Sequence, residues 1–214
     1  MFEPAKVSAN YIMSITIYII ILTCAISFTA WNKPDWYHAL IFNPYTIFKR
    51  NQWYRMFSSA LLHADLTHLF INMFVLYSFG EYMETVYTAY LPMGQIMYLV
   101  MYVLAIAAAN IKTLIENRHN AWYNAVGASG AVSAVIFSFI LVAPLEKILF
   151  FMVLPIPAFI YGILYLIYSQ YMANKASDNI GHDAHFFGAV FGFVFTGLLR
   201  PELFTNFMNQ ILHR

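Results

Sequence analysis

Charge is what this 214-residue sequence has least of: Asp, Glu, Lys and Arg make up 10% of it, against roughly 25% in soluble globular domains. So little charge excludes an ordinary water-solvated surface. The net charge is only +1 and the basic residues are scattered, which excludes the concentrated positive face that nucleic acid requires. Cysteine is nearly missing as well. Cys24 has no second cysteine to pair with, which excludes a disulfide within the sequence and a cysteine-based metal site, and leaves the redox compartment open. No internal repeat is visible, and Pro144, Pro155 and Pro157 punctuate a loop and a helix without marking a domain boundary. A single domain over residues 1–214 is expected.

What fills the sequence instead is apolar and aromatic, 61% and 19% of the residues respectively. That composition belongs to a membrane protein. A spanning helix needs about 20 mostly apolar residues, and stretches without Asp, Glu, Lys or Arg mark them best. Six such stretches occur, Tyr11–Trp31, Leu66–Gly80, Thr85–Ile111, His119–Leu145, Ile148–Asn174 and Ala184–Leu199. The second and sixth are short and are expected to extend, the second into His63–Asp65 or Glu81–Glu84 and the sixth into Ile180–Asp183. The fold class is therefore an all-α bundle of six transmembrane helices. The first stretch is too long for a signal-peptide core and is followed by no A-x-A-like cleavage site, so it is expected to be a retained helix.

Between the first two stretches, residues 32–62 carry Lys33, Asp35, Lys49, Arg50 and Arg55 among Trp36, Tyr37, Trp53 and Tyr54. Amphipathic aromatics and snorkelling basic side chains favour the headgroup zone, so this segment is expected to be an interfacial loop. Orientation is weakly encoded. The N-terminal side carries Lys6, Lys147, Arg200 and Arg214 and the other side seven basic residues, which by the positive-inside rule favours an outside N-terminus.

Polar side chains inside spans are costly and usually face a bundle interior or a watery cavity. His68 and Asn72 lie near the start of helix two, Ser129 near the start of helix four and His185 near the start of helix six. Alternating helix directions bring those three starts to one side of the membrane. His68 and Asn72, four residues apart, share a helix face, whereas His63 sits about 140° around the helix from His68 and makes no natural metal pair with it. Ser129 lies in Ala125-Val126-Gly127-Ala128-Ser129-Gly130, where small neighbours leave a nucleophilic hydroxyl and its backbone N–H open to a carbonyl. Such residues are also ordinary helix-packing material. Gly130, Ala134 and Ser138 continue at four-residue spacing, as do Ala184, Gly188 and Gly192, and the two stripes predict close packing of helices four and six.

Trp53 and Arg55, His63-x4-His68-x3-Asn72, Gly127-Ala128-Ser129-Gly130 and Ala184-His185-Phe186-Phe187-Gly188 with Gly192 together resemble the rhomboid family of intramembrane serine proteases. The resemblance implies a catalytic dyad of Ser129 as nucleophile and His185 as general base, with His68, Asn72 and the Ser129 backbone N–H as oxyanion donors. It implies no cofactor and no metal. It gives Trp53 and Arg55 a structural role in the first loop, makes Glu84 the acidic residue ending helix two, and places the N-terminus on the cytoplasmic side. Partners are then the lipid bilayer and single-span membrane proteins, whose helix must unwind to expose a peptide bond. The expected location is the cell membrane. The substrate's identity, its pathway and the oligomeric state are not written in the sequence.

Two departures from the family stand out. Ser133 occupies the position four residues after the nucleophile where some members carry an aromatic that stacks on the catalytic histidine, so Phe186, Phe187 or a tyrosine elsewhere must orient the ring. Gly181-His182-Asp183 adds an ionisable pair beside His185. A solvated loop end is the simpler reading of that pair; tuning or gating of the base, with Asp183 favouring protonated histidine nearby, is the other. Two rival functions remain. One is a non-catalytic relative that binds or escorts membrane proteins, although such a protein would lack the nucleophile or base. The other is a metal or haem site on His63, His68, His182 and His185, which no in-span carboxylate or cysteine accompanies.

Overall fold

The computed structural model describes residues 13–150, 153–175 and 181–212; part of the first predicted span, and Glu3, Lys6 and Arg214, lie outside them. Helix α1 (Ile15–Asn32) starts at Ser14, whose side chain accepts the Ile17 N–H. Its buried residues are Thr16, Thr23, Ser27 and Ala30, while Tyr18, Ile21, Leu22 and Phe28 are exposed. Polar residues inside and large apolar ones outside invert the pattern of a water-soluble helix. Phe70, Ile71, Phe74 and Tyr77 are exposed as well, as are Ile163, Leu164 and Ile167. Apolar exposure on this scale requires a lipid or protein cover.

The first loop folds into α2 (Pro34–Leu40), α3 (Pro44–Arg50) and α4 (Arg55–Ser58), closed by one 3-10 turn over Ser59–Leu61. Two long helices follow, α5 (Leu66–Tyr90) and α6 (Gly94–Glu116), then the short α7 (Ser129–Val142). An antiparallel hairpin, β1 (Lys147–Phe150) and β2 (Leu154–Pro157), pairs Lys147 with Pro157 and Phe150 with Leu154. Helices α8 (Ala158–Lys175), α9 (His182–Leu199) and α10 (Glu202–Leu212) complete the described chain. Of these, α1, α6 and α9 are each long and apolar enough to cross a membrane, and α5 joins them if its 95° bend with Arg55–Leu61 is one broken span.

Every predicted stretch carries a helix, with boundaries moved for physical reasons. The second continues through Glu81 and Glu84 to Tyr90. Glu84 is buried, and its carboxylate accepts the Ile15 and Thr16 N–H groups at 2.8 and 2.9 Å, the Thr16 hydroxyl at 3.0 Å and the Gln95 amide at 3.2 Å. It therefore satisfies the otherwise orphaned amides of the α1 N-terminus and does not end its own helix. The third starts at Gly94 rather than Thr85, after a turn in which Met93 has φ 54°. The fourth starts at Ser129 rather than His119, and the fifth at Ala158, because the proline-bearing segment before it forms the hairpin. The sixth begins at His182, taking in part of the anticipated extension. Helix α10 was not anticipated.

Helix α7 is the hub, with every residue from Gly130 to Val142 buried. At its centre Ser138 bonds the Gly192 carbonyl at 3.0 Å, and Thr196 joins Ser138 to the Tyr87 hydroxyl through two 2.7 Å contacts. That chain satisfies one buried hydroxyl from each of α5, α7 and α9 together.

Candidate active site

The loop that delivers Ser129 is held by the first loop. Arg55, buried, donates from Nε to Gln52 at 2.6 Å and from one terminal nitrogen to the His38 and Ile41 carbonyls at 2.7 and 3.0 Å. Asn43 caps α3 and donates to the Ala121 and Tyr123 carbonyls and to Asn124. Phe42 and Ala125 exchange backbone hydrogen bonds of 3.1 and 3.0 Å, and the Gly127 N–H donates to the Ser59 carbonyl at 3.0 Å. Two connections far apart in sequence thus form one braced layer, ending at Gly127.

Gly127 has φ +124°, a conformation that L side chains rarely adopt, and a Cβ there would lie 2.8 Å from His68 Cε1 and 2.9 Å from Nε2. The edge of the His68 ring therefore lies against the backbone two residues before Ser129. Asn72, buried one turn along α5, gives one amide hydrogen to the His68 carbonyl at 2.9 Å and keeps a second. His63 is fully buried behind them, its ring edge-on to His68 at 4.9 Å. The Ser27 hydroxyl donates to the Leu61 carbonyl at 2.9 Å, so its 3.1 Å contact with His63 Nδ1 is one in which the ring donates. Trp31 donates to the His63 carbonyl at 2.8 Å. His63 is thus a support for His68, fixed from α1.

Ser129 is the first residue of α7, and His185 lies in the first turn of α9. The two helices meet as the small-residue stripes predict. A Cβ on Gly188 would lie 2.0 Å from the Gly130 carbonyl oxygen, one on Gly192 2.0 Å from the Ala134 carbonyl oxygen, and one on Gly130 3.2 Å from the Ala184 carbonyl oxygen. Gly130 follows Ser129 directly, and Ala184 precedes His185, so backbone contact brings the two turns to one level. A side-chain path joins them as well. Ser133 donates to the Ser129 carbonyl at 2.8 Å and lies 2.6 Å from the Tyr165 hydroxyl. The Tyr165 ring stacks on His185, with centroids 6.2 Å apart and planes at 27°.

A family model for the rhomboid domain matches residues 50–202, a span that takes in His68, Asn72, Ser129, Tyr165 and His185 and covers most of the chain. The chain belongs to the rhomboid family. It is also 26% identical over 151 residues to the mitochondrial RHOMBOID-like protein 12 of Arabidopsis thaliana, a match covering 66% of this chain and 45% of that protein. The chain thus spans less than half the length of this relative.

As a rhomboid, this chain differs from expectation at the start of α9. His182 is buried, edge-on to Tyr168 at 5.7 Å and to His185 at 5.7 Å, so it is not the solvated loop end that its neighbours suggested. Asp183 pairs with Lys112 of α6 at 2.8 Å. Its charge is therefore directed to a lysine. Among the described residues, no three His, Cys, Asp or Glu side chains converge to hold a metal ion; His63 and His68 form one ring pair, and His182 and His185 another. The residues sequence reasoning missed are Tyr165 and Lys112. A helical stripe places Tyr161 beside Tyr165, but no local signal points either of them at His185. Of the candidates for orienting that ring, it is a tyrosine that stacks on His185, while Phe186 and Phe187 lie edge-on to each other at 5.5 Å.

Proposed function

We propose that this rhomboid is an intramembrane serine endopeptidase that hydrolyses peptide bonds in or near transmembrane segments. The observation that carries the reading is the backbone contact of Gly130 with Ala184 and Gly188, which supports a working pair of Ser129 and His185. His185 takes the Ser129 proton as Oγ attacks the scissile carbonyl. The developing oxyanion is met by the Ser129 backbone N–H, by an N–H of His68 and by the second amide hydrogen of Asn72. Collapse breaks the C–N bond, with His185 returning the proton to the leaving amine. Water then attacks the acyl-enzyme, again deprotonated by His185.

The six-crossing bundle belongs to this proposal. Helix α7, with 14 residues, is about 21 Å long at 1.5 Å per residue and shorter than the roughly 30 Å hydrocarbon layer. In this reading α7 crosses the layer with its first residue below the membrane surface. Ser129 then meets a substrate within the bilayer. Substrates are single-span proteins whose helix frays near a small or helix-breaking residue, and the location is the cell membrane.

A fluorophosphonate probe tests the nucleophile without a known substrate. Labelling of wild type in detergent micelles, lost in Ser129→Ala and strongly reduced in His185→Ala, is the expected result. Labelling that survives Ser129→Ala would refute the assignment.

A further inference from the structure

Helix α8 supplies no member of the proposed dyad, yet it holds the ring that faces the base. Tyr161 and Tyr165, one turn apart, stack at 5.8 Å and 29°, and Tyr165 stacks in turn on His185 at 6.2 Å and 27°. These separations lie within the range in which aromatic rings attract one another. Three rings form a column ending on the imidazole. The Tyr165 hydroxyl fixes the column's register. Ser133 has a single hydroxyl hydrogen and gives it to the Ser129 carbonyl at 2.8 Å, so at the 2.6 Å Ser133–Tyr165 contact the tyrosine is the donor. A directed chain therefore runs from Tyr165 through Ser133 to the turn that begins with Ser129. Phe137 flanks the tyrosine at 5.7 Å from the other helix.

We propose that Tyr165 is the positioning residue for the His185 imidazole, supplied by α8 in place of an aromatic on α7 and locked to the Ser129 turn through Ser133. The small Ser133 is what makes room for it. The stack restricts rotation of the imidazole about χ2, and a π face beside the ring favours the imidazolium that forms as Ser129 is deprotonated. Base orientation and nucleophile placement then depend on one arm of α8. The inference rests on the reading of His185 as general base.

The test compares wild type with Tyr165→Phe, Tyr165→Leu and the double variant Tyr165→Leu/Ser133→Tyr, purified in micelles. Readouts are kcat and KM on a single-span substrate, thermal stability, and the histidine ring resonances of 13C-histidine protein, with His185 assigned from His185→Gln. Loss of the stack in Tyr165→Leu is expected to lower kcat about tenfold with KM little changed, an effect of the size of one ring–cation contact. It also removes the ring-current displacement of the His185 resonance. Tyr165→Phe keeps the stack but gives up the bond to Ser133, so its kcat is expected to fall about threefold, between wild type and Tyr165→Leu, and the double variant, with the aromatic returned to α7, regains most of the lost kcat. A folded Tyr165→Leu with unchanged kcat and unchanged resonance overturns the proposal. So does a loss in Tyr165→Leu that follows lowered stability alone and is not regained in the double variant. If wild type neither cuts nor labels, the protease reading fails by itself. The resonance then still decides whether Tyr165 holds the ring, displacement lost in Tyr165→Leu supporting it and an unmoved signal overturning it.

Discussion

Gly127 concentrates two constraints in one residue. Its φ of +124° strains any side chain, and a Cβ would meet the His68 ring at 2.8 Å. Gly127→Ala is expected to reduce proteolysis at least about tenfold by displacing His68, and a variant with wild-type kcat would show that the contact is idle. Removing the proposed oxyanion donors by His68→Ala or Asn72→Ala is expected to lower kcat by about 10²–10³ with KM little changed, the scale of one lost oxyanion donor. A pure KM effect in single-turnover kinetics would move those residues from the transition state to substrate binding. Ser129, His185, His68 and Asn72 stood out in the sequence as candidates because each is an expensive polar group in an apolar stretch. Tyr165 could not. A tyrosine on a lipid-facing helix is common, and its role comes from contacts with Ser133 and His185 on two other helices.

Among the helices, the α7–α9 seam was legible because small residues at four-residue spacing have a direct physical meaning. Gly188→Ala puts a methyl group 2.0 Å from a carbonyl oxygen of α7, whereas Gly162→Ala meets the tip of the Ile140 side chain at 3.1 Å and the Phe137 ring at an ordinary 3.5 Å. The first is expected to cost about 1–3 kcal/mol or more and the second well under that, measured as thermal unfolding in detergent. Equal losses would contradict the seam. Helix boundaries were less legible, since a charge inside a span was read as its end. Glu84 escapes that rule by receiving the α1 amides and the Thr16 hydroxyl. Glu84→Gln, which keeps the shape and gives up the charge, is expected to destabilise the protein by about 1–3 kcal/mol. The hairpin that pairs 147–150 with 154–157 went unseen for a different reason: an apolar run of that length looks the same as helix until its prolines are weighed.

For the molecule as a whole, the account requires that α7, α8 and α9 all cross the bilayer, although α7 and α8 are short. In a Cys24→Ser background, single cysteines can replace the exposed Trp122, Val153 and Asn209. Trp122→Cys should react with an impermeant maleimide from one side of a sealed vesicle, and Val153→Cys and Asn209→Cys from the other. Reaction of the first two from the same side would remove α7 as a span. Composition made the membrane class plain, but charge counting and family resemblance disagree on direction, and of the first loop's basic residues only Arg55 is buried. Arg55 is buried there on three backbone and side-chain acceptors, and so says little about sidedness.

The measurement that bears most directly on the account is cleavage of a single-span substrate by purified wild type, Ser129→Ala and His185→Ala, with and without chelator. Cutting that ignores chelator and falls by about three orders of magnitude or more in both variants is the predicted result. Cutting retained in either variant would contradict the dyad, chelator-sensitive cutting would shift the chemistry to the histidines as metal ligands, and well-folded wild type that cuts none of several substrates would favour binding over catalysis.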